Sequence, residues 1–414
     1  MKKELEIQGM TADTPFGDAA SAIILDRLEN MIAHEQGVRL GEDIEALHDM
    51  RVYSRRLREA LRIFKPCFPR KRHKDIYGRV RDVTAALGDV RNLDVFIEYF
   101  RKFKDSGDLD PACADAADAL TAWAAKQRES LREKMIAFLD QADLAELADD
   151  VRDLADAPKD ENARDLLVRL AASGVPVAHT AAVPAPDSAG LSVVRHGQEG
   201  FAEAAARELM ARGCIRPRDY KEFRDVARKM DAPGAPLPLL LADPVAEHAR
   251  RIIPERFEAM AALWREAMAR REDPDIAGLH ALRISFKKLR YAFEILYLAF
   301  DEEKRNAVYA RMKEYQDILG DLHDADVFFD LGYGKLKNSV KKDRPDSALG
   351  FALLAHRLRQ RREELVAAFY ALSDEYPLEA LQRDLWDAFH AGYAPLPPGS
   401  QAREQACEKG DDED

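Results

Sequence analysis

Cysteine is scarce: the chain has four, Cys67, Cys113, Cys214 and Cys407, and no two form a CxxC pair. That usage suits neither a zinc site nor a disulfide framework and predicts reduced thiols in a cytosol. Long apolar runs are missing as well. The most apolar windows, 291–300 and 236–242, are too short to cross a bilayer, and the first contains Glu294. The opening residues carry Lys2, Lys3, Glu4 and Glu6 with no apolar stretch of signal-peptide length behind them. The expected location is therefore cytoplasmic, with no membrane partner. Strand signals, meaning alternating β-branched runs between Gly or Asn turns, are nearly absent, which leaves an all-α class. There is no phosphate-cradling glycine loop, no nucleophile–base pair and no metal constellation, so neither an enzyme nor a cofactor is expected.

Positive charge is in deficit only as a total. The 414 residues hold 63 Lys and Arg against 75 Asp and Glu, a formal net charge of −12. As an average this argues against a nucleic-acid binder, but it says nothing of local patches. A hydrophobic fraction of 47% excludes a wholly disordered chain.

The main organisational signal is an internal repeat at an offset of 232 residues. Leu47-His48-Asp49-Met50-Arg51 aligns with Leu279-His280-Ala281-Leu282-Arg283. The same offset pairs Leu87-Gly88-Asp89 with Leu319-Gly320-Asp321, and Asp94-Val95-Phe96 with Asp326-Val327-Phe328. Without a gap, 18 of the 54 positions from 43 to 96 match their partners. The chain therefore reads as two copies of one unit packed about a pseudo-twofold axis. Helical periodicity covers 19–35, 43–65, 72–103 and 115–139, then 244–271, 275–300, 302–335 and 347–372. This predicts two four-helix bundles. The expected units are a first helical repeat over 1–172, a connection with a helical insert over 173–243, a second repeat over 244–394 and an acidic disordered tail over 395–414.

The second helix of each copy carries the chemistry. His48, Arg51, Arg55, Arg58, Arg62 and Lys65 step by three or four, which places them on one face. Leu47, Met50, Ser54, Leu57, Leu61 and Phe64 follow the same rhythm one residue earlier, about 100° round the helix. The basic stripe thus borders the buried seam. His280, Arg283, Lys287 and Arg290 repeat the stripe in copy two, beside Leu279, Leu282, Phe286, Leu289, Phe293 and Leu296. Residues 51–81 hold 12 basic and 2 acidic side chains, and residues 283–313 hold 8 and 4. Like charges at this spacing repel one another, so their uncompensated repetition points to an anionic ligand. Arginine offers a planar fork suited to phosphate oxygens. Cations at intervals of roughly 5 Å along a helix suit a linear polyanion. No aromatic residues interleave with them as a base-stacking binder would require, which makes nucleic acid the weaker candidate.

At these residues the sequence resembles the CHAD family, the conserved histidine α-helical domain. The motifs are LHDMRVYSRRLREAL (47–61) with LGDVRNLDVF (87–96), and LHALRISFKKLRYAF (279–293) with LGDLHDADVF (319–328). The resemblance implies two four-helix bundles around a basic central cleft that binds inorganic polyphosphate, and association with polyphosphate granules. It implies ligand-facing roles for His48, Arg51, Arg55, Arg56 and Arg58, and for His280, Arg283, Lys287, Lys288 and Arg290. Arg79 and Arg311 match each other on the third helices and are expected to face the same cleft. Arg62, Arg72 and Lys74 extend the set on charge alone. Glu294 stands where copy one has Arg62, so an asymmetric cleft is expected. Gly88 and Gly320 are expected to permit close helix approach. Asp89, Asp94, Asp321 and Asp326 are expected to hold the basic side chains from behind, since a carboxylate at the phosphate would repel it.

Three other patterns carry less. Arg195-His196-Gly197 resembles the RHG motif of histidine phosphatases, but the insert is too short for that fold. Glu45-x-x-His48 resembles half of a di-iron motif, but Ala277 replaces the glutamate in copy two, and Arg51 and Arg55 would repel a cation. Glu4 and Glu6 lack the lysine of the Glu-x-Glu-x-Lys motif of the triphosphate hydrolase domain that the family sometimes carries. The alternatives to non-enzymatic polyphosphate binding are an enzyme acting on polyphosphate or a triphosphate through His196, and a nucleic-acid or acidic-protein binder using the same cleft.

Overall fold

The computed structural model describes residues 6–105, 109–156, 221 and 243–395. The expected insert (apart from Lys221 and Asp243), the acidic tail beyond residue 395, the Arg195-His196 motif, Cys214 and Cys407 lie outside the described residues. The first repeat contributes α1 (Phe16–Ala33), α2 (Glu35–Leu40), α3 (Ile44–Ile63), α4 (Arg70–Asp105), α5 (Pro111–Gln141) and α6 (Leu144–Asp156). The second contributes α7 (Val245–Ala269), α8 (Ile276–Ile295), α9 (Glu302–Lys341), α10 (Pro345–Glu375) and α11 (Leu378–Asp387). The eight expected helices are present, and the short α2, α6 and α11 are additional. Among the described residues, extended pairing is limited to two isolated bridges, Pro15 with Pro244 and Phe300 with Phe389. No described helix is long and apolar enough to cross a membrane.

The repeat is visible in its punctuation. Asp43 caps α3 by accepting the Glu45 N–H at 2.8 Å, and Asp275 caps α8 by accepting the Ala277 N–H at 3.0 Å. A 3-10 turn follows each, Lys65–Cys67 after α3 and Tyr297–Ala299 after α8. Proline opens both α5 and α10, where a missing N–H costs nothing.

The apolar seams of α3 and α8 are buried as their spacing requires, from Leu47 to Phe64 and from Leu279 to Leu296. They belong to one core that runs through both repeats. Counterpart helices pack on each other: α1 on α7, α3 on α8, α5 on α10. Two pairs of equivalent residues mark the pseudo-twofold axis by touching. Phe16 on α1 stacks flat on His248 on α7, with ring centroids 3.7 Å apart. Phe96 on α4 meets Phe328 on α9 at 4.9 Å, edge to face. A residue can contact its own copy only near the axis that relates them.

Phe96 and Phe328 belong to a second apolar cluster with Phe100, Leu120 and Leu354, which joins the α4–α5 hairpin to the α9–α10 hairpin. Gly350 permits this join. A Cβ there would lie 2.3 Å from the carbonyl oxygen of Ala112 on α5, so α10 could not approach so closely with any other residue. Glu6 has a structural role that its sequence context does not suggest. It pairs with Arg305, which is 4% exposed, while the Ile7 N–H donates to the Tyr297 hydroxyl at 2.7 Å. The chain's start is thereby tied to the second repeat.

Candidate anion-binding site

Where α3 packs on α8, the equivalent residues Arg51 and Arg283 come within electrostatic reach of each other. Burial pushes the Arg51 guanidinium down to about 10, and Arg55, Arg91 and Arg283 push in the same direction. Burial also lowers Arg283, with Arg55 adding to the effect while Asp324 opposes it. Tyr291 stands near both. Arg51 donates to the Asn92 side-chain oxygen at 3.3 Å, but its Nε is buried with no hydrogen-bond acceptor. The Nη1 of Arg91 is likewise buried and unmatched. These groups form a cationic cluster on the axis, built from α3, α8 and the middle of α4 and α9.

Asn92 and Asp324 occupy equivalent positions, and each faces its own repeat's arginine. Burial raises the Asp324 carboxyl to about 6, against the pull of Arg283 and Arg51. Neither Arg91 nor Asp324 was expected in the site. The signal available in the sequence was position: both follow the LGD motif by two and three residues in their own copies.

The histidines border the cluster. Burial lowers His48, with Arg91 next in effect, and burial lowers His280, with Arg283 and Lys287 next. The His280 ring lies 4.5 Å from that of His323, the counterpart of Arg91. Burial pushes His323 down to about 4, helped by Arg283. Arg55, Arg58, Lys287 and Lys288 are half-buried on the same two helices. Among the described residues no three His, Cys, Asp or Glu side chains are grouped to share a metal ion.

Several expected ligand residues are engaged elsewhere. Arg56 is 8% exposed and donates across the repeats to Glu294, which is 2% exposed, at 3.2 Å. Arg290 donates to the same carboxylate at 2.6 Å and to the Tyr309 hydroxyl at 2.9 Å. The expected asymmetry at Glu294 is thus an internal neutralisation: this carboxylate takes Arg56 and Arg290 out of the ligand-facing set. Arg62 pairs with Glu59. Arg72 pairs with Asp153 and Arg79 with Asp150 and Glu146, all on α6. Arg311 pairs with Glu314 and lies over the Tyr376 ring. Arg79 thus reaches α6, while Arg311 stays with its own helix and Tyr376. Lys74 is exposed near the start of α4.

The conserved-looking aspartates also point differently. Asp94 pairs with Arg128 on α5, and Asp326 accepts from Arg362 on α10 at 2.8 Å. Asp321 lies 3.9 Å from Arg361, and Asp89 is exposed. Asp94 and Asp326 thus hold arginines of the fourth helix of each repeat, and Asp326 also stands near His280 and His323. Gly88 does not bring two helix backbones together. A Cβ there would touch the Arg51 Nε at 3.4 Å, so the glycine leaves room for that guanidinium, whereas Gly320 faces open space.

The CHAD domain family model matches residues 22–182 and 161–331. No curated protein matches the sequence. Among solved structures, the chain is similar to the crystal structure of the CHAD domain from the plant Ricinus communis. The identity is 20%, covering 94% of this chain and 97% of that one, with a TM-score of 0.43. It is also similar to PptA from Streptomyces chartreusis at 14% identity, covering 87% of this chain and 99% of that one, with a TM-score of 0.47.

Proposed function

The chain belongs to the CHAD domain family, and from that footing we propose that it binds inorganic polyphosphate at the Arg51–Arg283 cluster without turning it over. One observation carries the reading: two equivalent arginines, each half-buried, stand within electrostatic reach of each other where α3 packs on α8, with Arg55 and Arg91 close to Arg51. Burying like charges in proximity costs free energy unless a counter-charge arrives. The Arg51 Nε, buried against Gly88 with no acceptor, adds to that cost. Asp324, with its raised pKa, supplies only part of the counter-charge.

A linear polyanion fits better than a single small anion. The basic positions continue along both helices, from Arg51 to Arg55 and Arg58 on α3 and from Arg283 to Lys287 on α8. Each turn advances about 5.4 Å, more than the spacing of adjacent phosphates, so the cations meet an extended chain at intervals along its length. Binding displaces counterions and weakens steeply with salt, as for other polyanions. Association with polyphosphate granules follows from the same affinity.

Titration of long-chain polyphosphate against the wild-type chain and Arg51→Glu/Arg283→Glu tests the reading. Binding is expected in the first and not in the second, and equal affinity in both would overturn it. Incubation with polyphosphate and Mg²⁺ is expected to release no orthophosphate. In competition at matched charge, polyphosphate is expected to displace bound RNA or DNA. A fluorescent fusion is expected to follow granules in cells, and the double variant to lose them.

A further inference from the structure

The second repeat has a cavity that the first has filled. Between the start of α8 and the middle of α9 lies a pocket of about 400 Å³. Leu279, Leu319 and Leu322 form apolar walls, and His280, His323 and Asp326 add polar groups. The equivalent place in the first repeat, at Leu47 and Val90, holds only about 10 Å³, the room of one water. There Arg128, Arg132 and Met135 of α5 line the little space that is left. The duplication therefore supplied two such places, and only the second stayed open.

The pocket is contiguous with the proposed phosphate track. His280 lines it, and Arg283 and Lys287 follow on the same face one and two turns along α8. A naked phosphate chain has nothing to offer leucine walls. A ligand that uses the whole surface carries an apolar, flat group at one end and phosphates at the other. The polar groups fit the edge of a heterocycle. The two imidazoles, 4.5 Å apart, are both held below their ordinary range and so stay neutral at pH 7. Neutral imidazole offers one donor and one acceptor, which is what a base edge requires. Pockets of this size with mostly apolar walls and a few convergent polar groups are typical small-molecule sites.

We propose that this cavity takes the heterocycle of a nucleoside triphosphate whose phosphates lie on the basic stripe beginning at Arg283. The inference rests on the polyphosphate reading for the phosphate half and adds a specificity for what the phosphates are attached to. It predicts that ATP and inorganic triphosphate are told apart by this chain, although both present three phosphates.

Calorimetric titration of the full chain with ATP, inorganic triphosphate and adenosine tests it, in the wild type and in two variants that block the mouth. Ala277→Trp and Val327→Trp act at exposed positions lining the pocket, away from the arginines. ATP is expected to bind about tenfold tighter than inorganic triphosphate, the gain of one heterocycle buried against apolar walls. Either tryptophan is expected to erase that gap while leaving triphosphate affinity within about twofold, which also reports that the variant is folded. Equal affinity for ATP and triphosphate in the wild type would overturn the inference and leave the polyphosphate reading intact. A gap that survives in both variants would overturn it too. Binding of neither compound by the wild type would sink the polyphosphate reading and this inference with it.

Discussion

Phe96 and Phe328, 232 residues apart in sequence, meet edge to face with ring centroids 4.9 Å apart. They occupy equivalent positions of the two repeats, as do Phe16 and His248, which stack at 3.7 Å. Such contacts arise only along a pseudo-twofold axis, and what sits on that axis must face its own copy. For phenylalanine this is favourable. For Arg51 and Arg283 it forces two cations together, and no ion pair can form between identical residues. A symmetric duplication of a basic helix thus brings like charges within reach of each other, with no counter-charge supplied by the symmetry.

The aromatic contact holds the two hairpins together. Phe96→Ala or Phe328→Ala is expected to cost about 3–5 kcal/mol of unfolding free energy by denaturant titration, because each leaves a cavity in the second cluster. Substituting both is expected to cost less than the sum, since the two rings are in contact.

Arg51→Ala and Arg283→Ala are expected to weaken polyphosphate binding similarly, each about tenfold to a hundredfold by fluorescence titration. Both are also expected to leave the fold at least as stable as wild type, since each relieves repulsion of a buried like charge. A loss of affinity in one variant only would show that the track is confined to one helix.

Glu294→Ala is expected to act on stability and not on ligand. It leaves Arg56 and Arg290 buried without their shared carboxylate, at about 3–5 kcal/mol. Polyphosphate affinity measured well below the melting temperature is expected to change less than about twofold. The same measurement on Arg58→Ala, a ligand-facing candidate on α3, is expected to show the reverse pattern.

Asp324 makes the site pH-dependent. Its carboxyl is raised to about 6, so it sheds its charge as pH falls through that value. Affinity for polyphosphate is then expected to rise between pH 7.5 and 5.5, as the negative charge facing Arg283 disappears. Asp324→Asn installs the first repeat's residue, Asn92. At pH 7.5 it is expected to bind about two- to fivefold tighter and to flatten the rise. The sign for folding is the same. The folded state favours the protonated carboxyl, so wild-type stability falls as pH rises from about 4 through about 6. The asparagine variant is expected to be more stable at neutral pH and to lose that advantage near pH 4.

Much of the architecture was legible because local rules decide it. The three- and four-residue steps of Leu47, Met50, Leu57 and Leu61 require a helix with one buried face, and α3 has it. The offset of 232 residues required two similar units. Arg51 and Arg283 were legible as a pair for the same reason. The roles of the remaining charges were not. Arg56 lies on α3 one residue from Arg55, yet one is buried on Glu294 and the other stands beside Arg51. Asp94 and Asp326 carry the same motif as the glycines that precede them, yet they reach α5 and α10.

The sequence by itself determined the helices, their duplication and the existence of an unbalanced basic stripe, because periodicity and composition are properties of neighbours along the chain. Tertiary structure decided which carboxylates pair with which cations. That depends on whether a carboxylate from a distant helix reaches them: Glu294 reaches Arg56, and α6 reaches Arg72 and Arg79. Near the axis a side chain approaches its own copy, so Arg51 and Arg283 come within electrostatic reach of each other, with Asp324 beside Arg283.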